Sequence, residues 1–230
     1  MLVRKSIREQ VRDLIIERIA AGELLPGDRL VEAKLAEELS VSAIPIREAF
    51  RELVAIGILD SAPHKGAWVR EVSLRETIHV LQVRSALDGL AGRLAAPRLR
   101  GRCQNLWKTI EGLVEAARAR DLGTFQQHNE SLHRAVIAAA ENPVLQRLWE
   151  QLAMPVRTRF IMDYLAATDP VEIAEAHRPI VEALDRGDGE AAAEMLESHS
   201  RQLINYLHEA ACAEESVPVL KFLSHGSESR

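Results

Sequence analysis

The chain has 230 residues, a formal net charge of −5 and 47% apolar residues, which is an ordinary balance for a globular protein. It contains no run near the roughly 18 apolar residues of a membrane span, no apolar signal core at its start, and only two cysteines. These features argue against a membrane protein and a disulfide framework, and they predict a bacterial cytoplasmic protein with reduced thiols.

The charge distribution is a mild argument against nucleic acid as a partner. Residues 1–72 carry 11 basic and 12 acidic residues, so this part of the chain is close to neutral. Any affinity for DNA must therefore come from locally placed charges and helix ends rather than from a global positive field.

Apolar residues at helical spacing predict three helices in the first part of the chain, at residues 6–21, 31–39 and 44–57. Gly22 is a suitable end for the first helix. Ser42 is a good N-cap for the third, because its hydroxyl can accept from a backbone N–H of the first turn.

Two β-prone runs, 58–61 and 67–70, flank a Pro/Gly turn and predict a hairpin. Helix, short helix, tight turn, helix and hairpin is the order of a winged helix-turn-helix domain, which we assign to residues 1–72. The third helix is then the recognition helix and the hairpin is the wing.

The rest of the chain is predicted to be entirely helical. The six predicted helices span residues 73–98, 102–119, 122–141, 143–166, 170–186 and 189–213. Pro155 is expected to kink or split the fourth, which gives six or seven helices. The fold class is therefore mainly α: a winged helix-turn-helix followed by an all-α bundle over residues 73–215, with a flexible tail at 216–230.

The first domain offers groups that suit DNA phosphates and base edges, on the recognition helix and at the wing. The candidate DNA-binding residues are Ser42, Arg47, Arg51, His64, Lys65 and Gly66. The alternative is a helix-turn-helix that makes only protein contacts.

The segment from Gly22 to Val69 resembles the DNA-binding domain of the GntR family of bacterial regulators. That family usually shows V-S-R-T-P-V-R-E-A-L, and this chain has VSAIPIREAF from Val41, followed by a wing with H-x-G-A. The resemblance implies a homodimer that binds a palindromic double-stranded operator. Ala43 and Ile44 depart from the usual Arg and Thr, and this apolar pair is suited to contact thymine methyl groups.

Polar side chains interrupt the apolar stripes of three predicted bundle helices. Asn129 and His133 lie four residues apart on one face of 122–141, His177 lies in the stripe of 170–186, and His199 lies in that of 189–213. Burying four polar groups costs free energy unless each of them has a partner. A divalent metal, with Zn or Ni as the first candidates, would pair with all four. The alternative for each histidine is an ordinary core residue hydrogen-bonded to a carbonyl.

The bundle also resembles the FCD ligand-binding domain of the FadR subfamily. Its metal-binding members carry Asp or Asn four residues before a His and two further His on later helices, which matches Asn129, His133, His177 and His199. The resemblance implies a small carboxylic acid as effector, held close to the metal. Asn in place of the more usual Asp removes a negative charge and predicts weaker metal binding.

A carboxylate effector calls for an arginine. Arg84 matches an arginine that the family places near the pocket; the alternative is an Arg84–Asp88 pair on the helix surface. Of Arg157 and Arg159, which follow Pro155, we select Arg157 as a second effector-binding residue.

The predicted function is a transcriptional regulator, of the repressor type, whose DNA binding responds to an organic acid near the metal. One alternative has a structural metal or none, with an apolar or acyl effector. A metal-dependent hydrolase fused to a winged helix is disfavoured, because no carboxylate lies beside the ligands on the stripes and no HExxH motif occurs. We therefore expect no enzymatic activity.

Overall fold

The computed structural model describes residues 5–63, 65–154, 156–158, 161 and 169–215, with side chains as far as residue 209. The tail 216–230, His64, Arg159 and the kink predicted at Pro155 lie outside these residues. Among the described helices, none has the length and apolar character needed to cross a bilayer.

The first part of the chain folds into three helices and a small sheet. They are α1 (Ile7–Ala20), β1 (Arg29–Leu30), α2 (Glu32–Leu39), α3 (Ala43–Ala55), β2 (Leu59–Ala62) and β3 (Gly66–Val69). The sheet is antiparallel with the order β1-β3-β2. Strand β1 was not predicted, because two residues are too few to show an alternating pattern.

Local sequence signals explain where these elements begin and end. Ser6 and Glu9 form a reciprocal capping box at the start of α1. Gly57, which follows α3, and Gly66, at the start of β3, have positive φ of 72° and 77°, a region that glycine enters at little cost. The buried faces of α1 and α3 then meet around Ile15, Ile46 and Leu53.

The second part of the chain is all-helical where it is described. Its helices are α4 (Leu74–Leu99), α5 (Gln104–Ala119), α6 (Leu122–Ala139), α7 (Pro143–Gln151), α8 (Pro170–Glu175), α9 (Arg178–Arg186) and α10 (Gly189–Glu215). The long helices α4 and α10 pack along each other, and α6 packs against both α4 and α5. The predicted mainly α fold is thereby confirmed.

The predicted single helix at 170–186 is wrong. It is divided into α8 and α9, with Ala176 ending the first and His177 at the N-cap of the second. Pro179 explains the break, since its ring removes one N–H donor and clashes with the preceding turn of a continuous helix. At the second position of α9 the same proline is well tolerated.

The predicted helix at 143–166, for which a kink or split was expected at Pro155, is interrupted just before that residue. Helix α7 ends at Gln151, and Ala153 adopts a left-handed backbone with φ of 47°. Ala153 and Val156 then pack into the core of the first domain, although they lie in the second half of the chain.

A polar junction adjoins this contact between the domains. Arg70, just after β3, donates to both carboxylate oxygens of Glu76 in the first turn of α4, at 2.8 and 3.1 Å. Arg157 is 4% exposed and has one guanidinium nitrogen 3.5 Å from Glu76. Ala153 and Val156 therefore contact the DNA-binding domain, while Arg157 contacts the start of the bundle.

Candidate metal centre and nucleic-acid interface

Three histidines from separate elements meet inside the bundle. His133 lies on α6, His177 at the N-cap of α9 and His199 on α10, and one ring nitrogen from each lies within 4.8 Å of the other two. The ring centroids are 4.1 Å apart for His177–His199, 5.6 Å for His133–His177 and 5.9 Å for His133–His199. We call these three residues the histidine cluster.

The histidine cluster contains buried polar atoms that lack a protein partner among the described residues. They are Nδ1 and Nε2 of His133, Nε2 of His177 and Nδ1 of His199. Leaving one such atom buried without a partner costs about 1–3 kcal/mol. A cation shared by the three rings would satisfy one nitrogen from each.

The three histidines of the cluster are held in the neutral form. Burial lowers the pKa of all three histidines, to about 3 for His177, and the positive charge of Arg84 lowers each of them further. All three imidazoles are therefore neutral near pH 7. The neutral ring carries the free lone pair that a metal ligand requires.

The contacts of His177 fix which of its nitrogens faces the cluster. Its Nδ1 lies 3.0 Å from the carbonyl oxygen of Ile173 and 3.2 Å from that of Ala174. Nδ1 must carry the proton to donate to these carbonyls, so Nε2 keeps its lone pair. A metal-bound histidine usually donates a hydrogen bond from its other ring nitrogen in this way. The break between α8 and α9 places the His177 ring within reach of both carbonyl oxygens.

Asp88 on α4 belongs to the site and was not selected from the sequence. It is 2% exposed, and its Oδ2 lies 3.0 Å from Arg84 Nε and 3.3 Å from His133 Nδ1. Its Oδ1 accepts a hydrogen bond of 2.8 Å from the indole nitrogen of Trp149. Burial alone would raise the pKa of Asp88, but Arg84, His133 and Trp149 together hold it below its ordinary value.

The burial of Arg84 bears on one of its two alternatives, the surface ion pair, whereas its role in effector binding stays a prediction. The pair with Asp88 exists, but the two side chains are only 5% and 2% exposed, so it is not a surface pair. Arg84 Nη2 is buried without a partner among the described residues. Arg84 therefore offers an anion a free donor close enough to the histidine cluster to affect its titration.

The remaining predicted ligands lie in different places. Asn129 is 9% exposed and lies one turn before His133 on the buried face of α6. Arg157 lies at the junction beside Glu76, and its charge is not among those that shift the pKa of the histidine cluster. Its role in effector binding stays a prediction.

Four of the six candidate DNA-binding residues line one groove between α3 and the wing. Arg47, Arg51, Lys65 and Gly66 surround a groove of about 560 Å³, together with Arg29 of β1, which the sequence did not single out. Arg47 is paired with Glu32 of α2 at 2.9 Å and remains about half exposed.

The start of α3 is open to solvent. Ser42 occupies the predicted N-cap position, but its side chain makes no capping hydrogen bond, so the helix does not use the hydroxyl. Ile44 is 67% exposed, which is unusual for a large apolar side chain. Both residues therefore present their side chains at the helix end that would enter a major groove.

Comparison with known proteins agrees with the two-part architecture. The family model described as "Bacterial regulatory proteins, gntR family" matches residues 7–69, and the FCD domain model matches residues 79–202. The "Probable D-xylose utilization operon transcriptional repressor" of Paenarthrobacter nicotinovorans is 40% identical over 200 residues, covering 86% of this chain and 87% of that protein.

Two Escherichia coli regulators are also similar. The solved structure of McbR superposes with a TM-score of 0.76 at 29% identity, covering 90% of this chain and all of the other. The galactonate operon transcriptional repressor is 28% identical over 214 residues, covering 81% of this chain and 92% of that protein. These relatives are regulators, which agrees with the expectation that the chain is not an enzyme. The chain belongs to the GntR family of bacterial regulatory proteins, and its helical half is an FCD domain.

Proposed function

We propose that the chain is a homodimeric cytoplasmic repressor of the FadR subfamily, whose operator affinity changes when a small carboxylic acid binds beside a divalent metal. The observation that carries this proposal is the histidine cluster, in which two buried histidines and one half-buried histidine from three elements bring their ring nitrogens within 4.8 Å of one another. An effector that binds one arrangement of the dimer better than another shifts the population between DNA-binding and released states.

The metal is held by His133, His177 and His199, with Asn129 as the fourth protein ligand. Three neutral imidazoles and one amide oxygen form a donor set suited to Zn or Ni. When bound, the ion supplies a positive, Lewis-acidic centre that attracts a carboxylate oxygen. Arg84 contributes the second cationic contact through its unpaired Nη2.

The names of two relatives narrow the class of acid. One concerns D-xylose utilization and the other a galactonate operon. We therefore place sugar acids first among the carboxylic acids to be tested, because they combine a carboxylate for Arg84 with hydroxyl groups that can reach the metal.

The homodimer is supported by exposed apolar side chains on the bundle. Val83 and Leu90 lie seven residues apart on α4, and Val144 and Leu148 lie four apart on α7, and all four are 40–55% exposed. Helices α4 and α7 contact each other. Such residues are suited to a contact with a second copy, which would present two recognition helices to a palindromic operator.

A thermal-unfolding experiment tests the metal and the acid together. At a free Zn²⁺ concentration about 100-fold above Kd, binding adds about 2.7 kcal/mol of stability. For a chain of this size that raises Tm by roughly 5–10 °C, and a chelator should reverse the gain. D-xylonate or D-galactonate should raise Tm further in the metal-loaded protein only, whereas the neutral sugar D-xylose is the matched control and should not.

Other outcomes separate the alternatives. A shift with D-xylose and none with the acids would overturn carboxylate recognition. A shift with fatty acyl compounds in chelated protein would favour the apolar effector. Turnover of an ester or amide by the metal-loaded protein would favour the hydrolase.

We also propose that Ile44 reads a thymine methyl group in each operator half-site. Uracil lacks only that methyl group, so replacing the relevant thymine by uracil should lower affinity by about 0.8 kcal/mol per half-site, roughly fourfold. The operator is first obtained by selection from random DNA, and each thymine is then exchanged in turn. Ile44→Ala should lose this sensitivity, whereas Leu25→Ala, which removes another exposed apolar side chain of the same domain, should retain it. Equal sensitivity in the parent and in Ile44→Ala would contradict the assignment.

A further inference from the structure

Asp88 occupies the centre of a buried network that neither metal ligation nor DNA binding accounts for. Its two carboxylate oxygens contact three groups from three helices: Arg84 on α4, His133 on α6 and Trp149 on α7. All of these side chains are at most 5% exposed. A carboxylate in such surroundings carries a considerable desolvation cost, which its contacts with these three partners offset.

The first dependent group is Arg84. Asp88 accepts from Nε, which fixes the plane of the guanidinium and leaves Nη2 as its buried, unpaired donor. The Arg84 Cζ atom also lies 6.0 Å from the Trp149 ring, which limits movement of the side chain from that side. An arginine held in this way loses little further freedom when it binds an anion.

The second dependent group is His133. Its Nδ1 is 3.3 Å from Asp88 Oδ2, close enough for strong attraction, although the angle is outside that of a regular hydrogen bond. When a hydrogen bond forms between these two atoms, Nδ1 is its donor. Nδ1 would then carry the proton and Nε2 would face the metal, as a carboxylate behind a ligating histidine commonly arranges.

Asp88 also balances charge. Arg84 is a buried cation whose field reaches all three histidines. A divalent ion at the cluster would be repelled by an uncompensated guanidinium in this poorly screened interior. The negative charge of Asp88 lies between Arg84 and His133, so it allows a metal and an arginine to share one site.

We infer that Asp88 is a positioning residue: it orients Arg84 towards the effector carboxylate, orients His133 towards the metal, and connects both to Trp149. The inference rests on the proposed metal and acid site and deepens it. Trp149 thereby becomes an internal reporter, because its indole N–H donates to the same carboxylate that contacts His133.

The test uses Asp88→Asn in the full-length protein, in a background where Trp68 and Trp107 are changed to Phe and Trp149 is the sole tryptophan. Asparagine keeps an oxygen for the indole but removes the charge. Zn²⁺ alone is titrated, with affinity measured against a competing chelator. We expect roughly a 10- to 100-fold loss of Zn²⁺ affinity, and a Trp149 emission change on Zn²⁺ binding that is present in the parent and lost in the variant.

Asp88→Glu is the conservative variant and should recover most of the Zn²⁺ affinity, because it restores the charge. If Asp88→Asn is folded and binds Zn²⁺ as tightly as the parent, the inference is overturned. A lower Tm with unchanged Zn²⁺ affinity has the same consequence, since it would show a role in packing only.

A second measurement separates this inference from the proposed function. The Arg84 Nε–H signal in ¹⁵N NMR should be protected from solvent exchange in the metal-free parent and in Asp88→Glu, and unprotected in Asp88→Asn. If the parent protein binds no Zn²⁺, the proposed metal site is wrong. The solvent-exchange protection of the Arg84 Nε–H still shows whether Asp88 holds Arg84 in place. Equal protection in all three proteins would refute the positioning role.

Discussion

His133→Ala is expected to abolish tight metal binding and, with it, the response of operator affinity to a sugar acid, while the affinity for the operator itself is unchanged. His133 provides one of only three imidazoles in the cluster. Its loss should therefore cost more than the roughly 10- to 100-fold in metal affinity that follows loss of a hydrogen-bond partner behind a ligand.

The measurement is metal content by mass spectrometry together with operator binding at increasing acid concentration. His133→Gln is a second variant that keeps more of the side-chain volume beside Asp88. It controls for the loss of stability that a cavity at this position would cause. His208→Ala is the matched control, because His208 is exposed on α10, the helix that carries His199. An unchanged acid response in a metal-free His133 variant would exclude the metal from effector sensing.

Arg47→Ala should have the opposite pattern: operator binding is lost, while metal and acid binding are retained. An arginine that contacts a guanine contributes about 1–3 kcal/mol, and a symmetric dimer loses two such contacts. The expected loss in affinity is on the order of 100-fold or more. Glu32 adds to it, since its carboxylate would be left unpaired beside the DNA.

Fluorescence anisotropy with labelled operator, measured at several salt concentrations, checks this prediction. Arg47→Lys keeps the charge but not the planar fork, so it should retain non-specific binding and lose discrimination between operator and random DNA. Arg118→Ala removes an equal charge from the exposed surface of α5 and should bind like the parent. A reduced affinity of Arg47→Ala for the acid would contradict the proposal that one domain binds the operator and the other binds the acid.

Much of the bundle was predictable because helical periodicity directly reports a buried face. The stripes placed His133, His177 and His199 on three core-facing surfaces, and the structure brings these three residues together. Periodicity could not show that Pro179 would divide α8 from α9, because a proline in an apolar stripe is compatible with either a kink or a new helix start. That break is what gives His177 its two carbonyl partners.

Asp88 was missed for a different reason. An arginine and an aspartate four residues apart are far more common as an exposed ion pair than as a buried one, and only burial separates the two cases. The indole of Trp149 donates a hydrogen bond to this carboxylate and so lowers the cost of burying it. Such a contact spans 61 residues of sequence and leaves no local pattern.

The contact between the two domains could likewise not be predicted from the sequence. Ala153 and Val156 are small apolar residues in a region expected to be a kinked or split helix of the bundle, yet they complete the core of the DNA-binding domain. Arg157, which was predicted to bind the effector, lies beside Glu76 and Arg70 at this junction. Ala153, Val156 and Arg157 thus join the helical domain to the DNA-binding domain through contacts that no local sequence pattern indicates.

The most direct measurement is anomalous diffraction from a crystal of the protein grown with Zn²⁺ and recorded on both sides of the zinc absorption edge. The account predicts one strong edge-dependent peak within bonding distance of ring nitrogens from His133, His177 and His199, with Arg84 Nη2 facing the adjacent space. Imidazoles hydrogen-bonded to carbonyls or to one another, with no such peak between them, would contradict it.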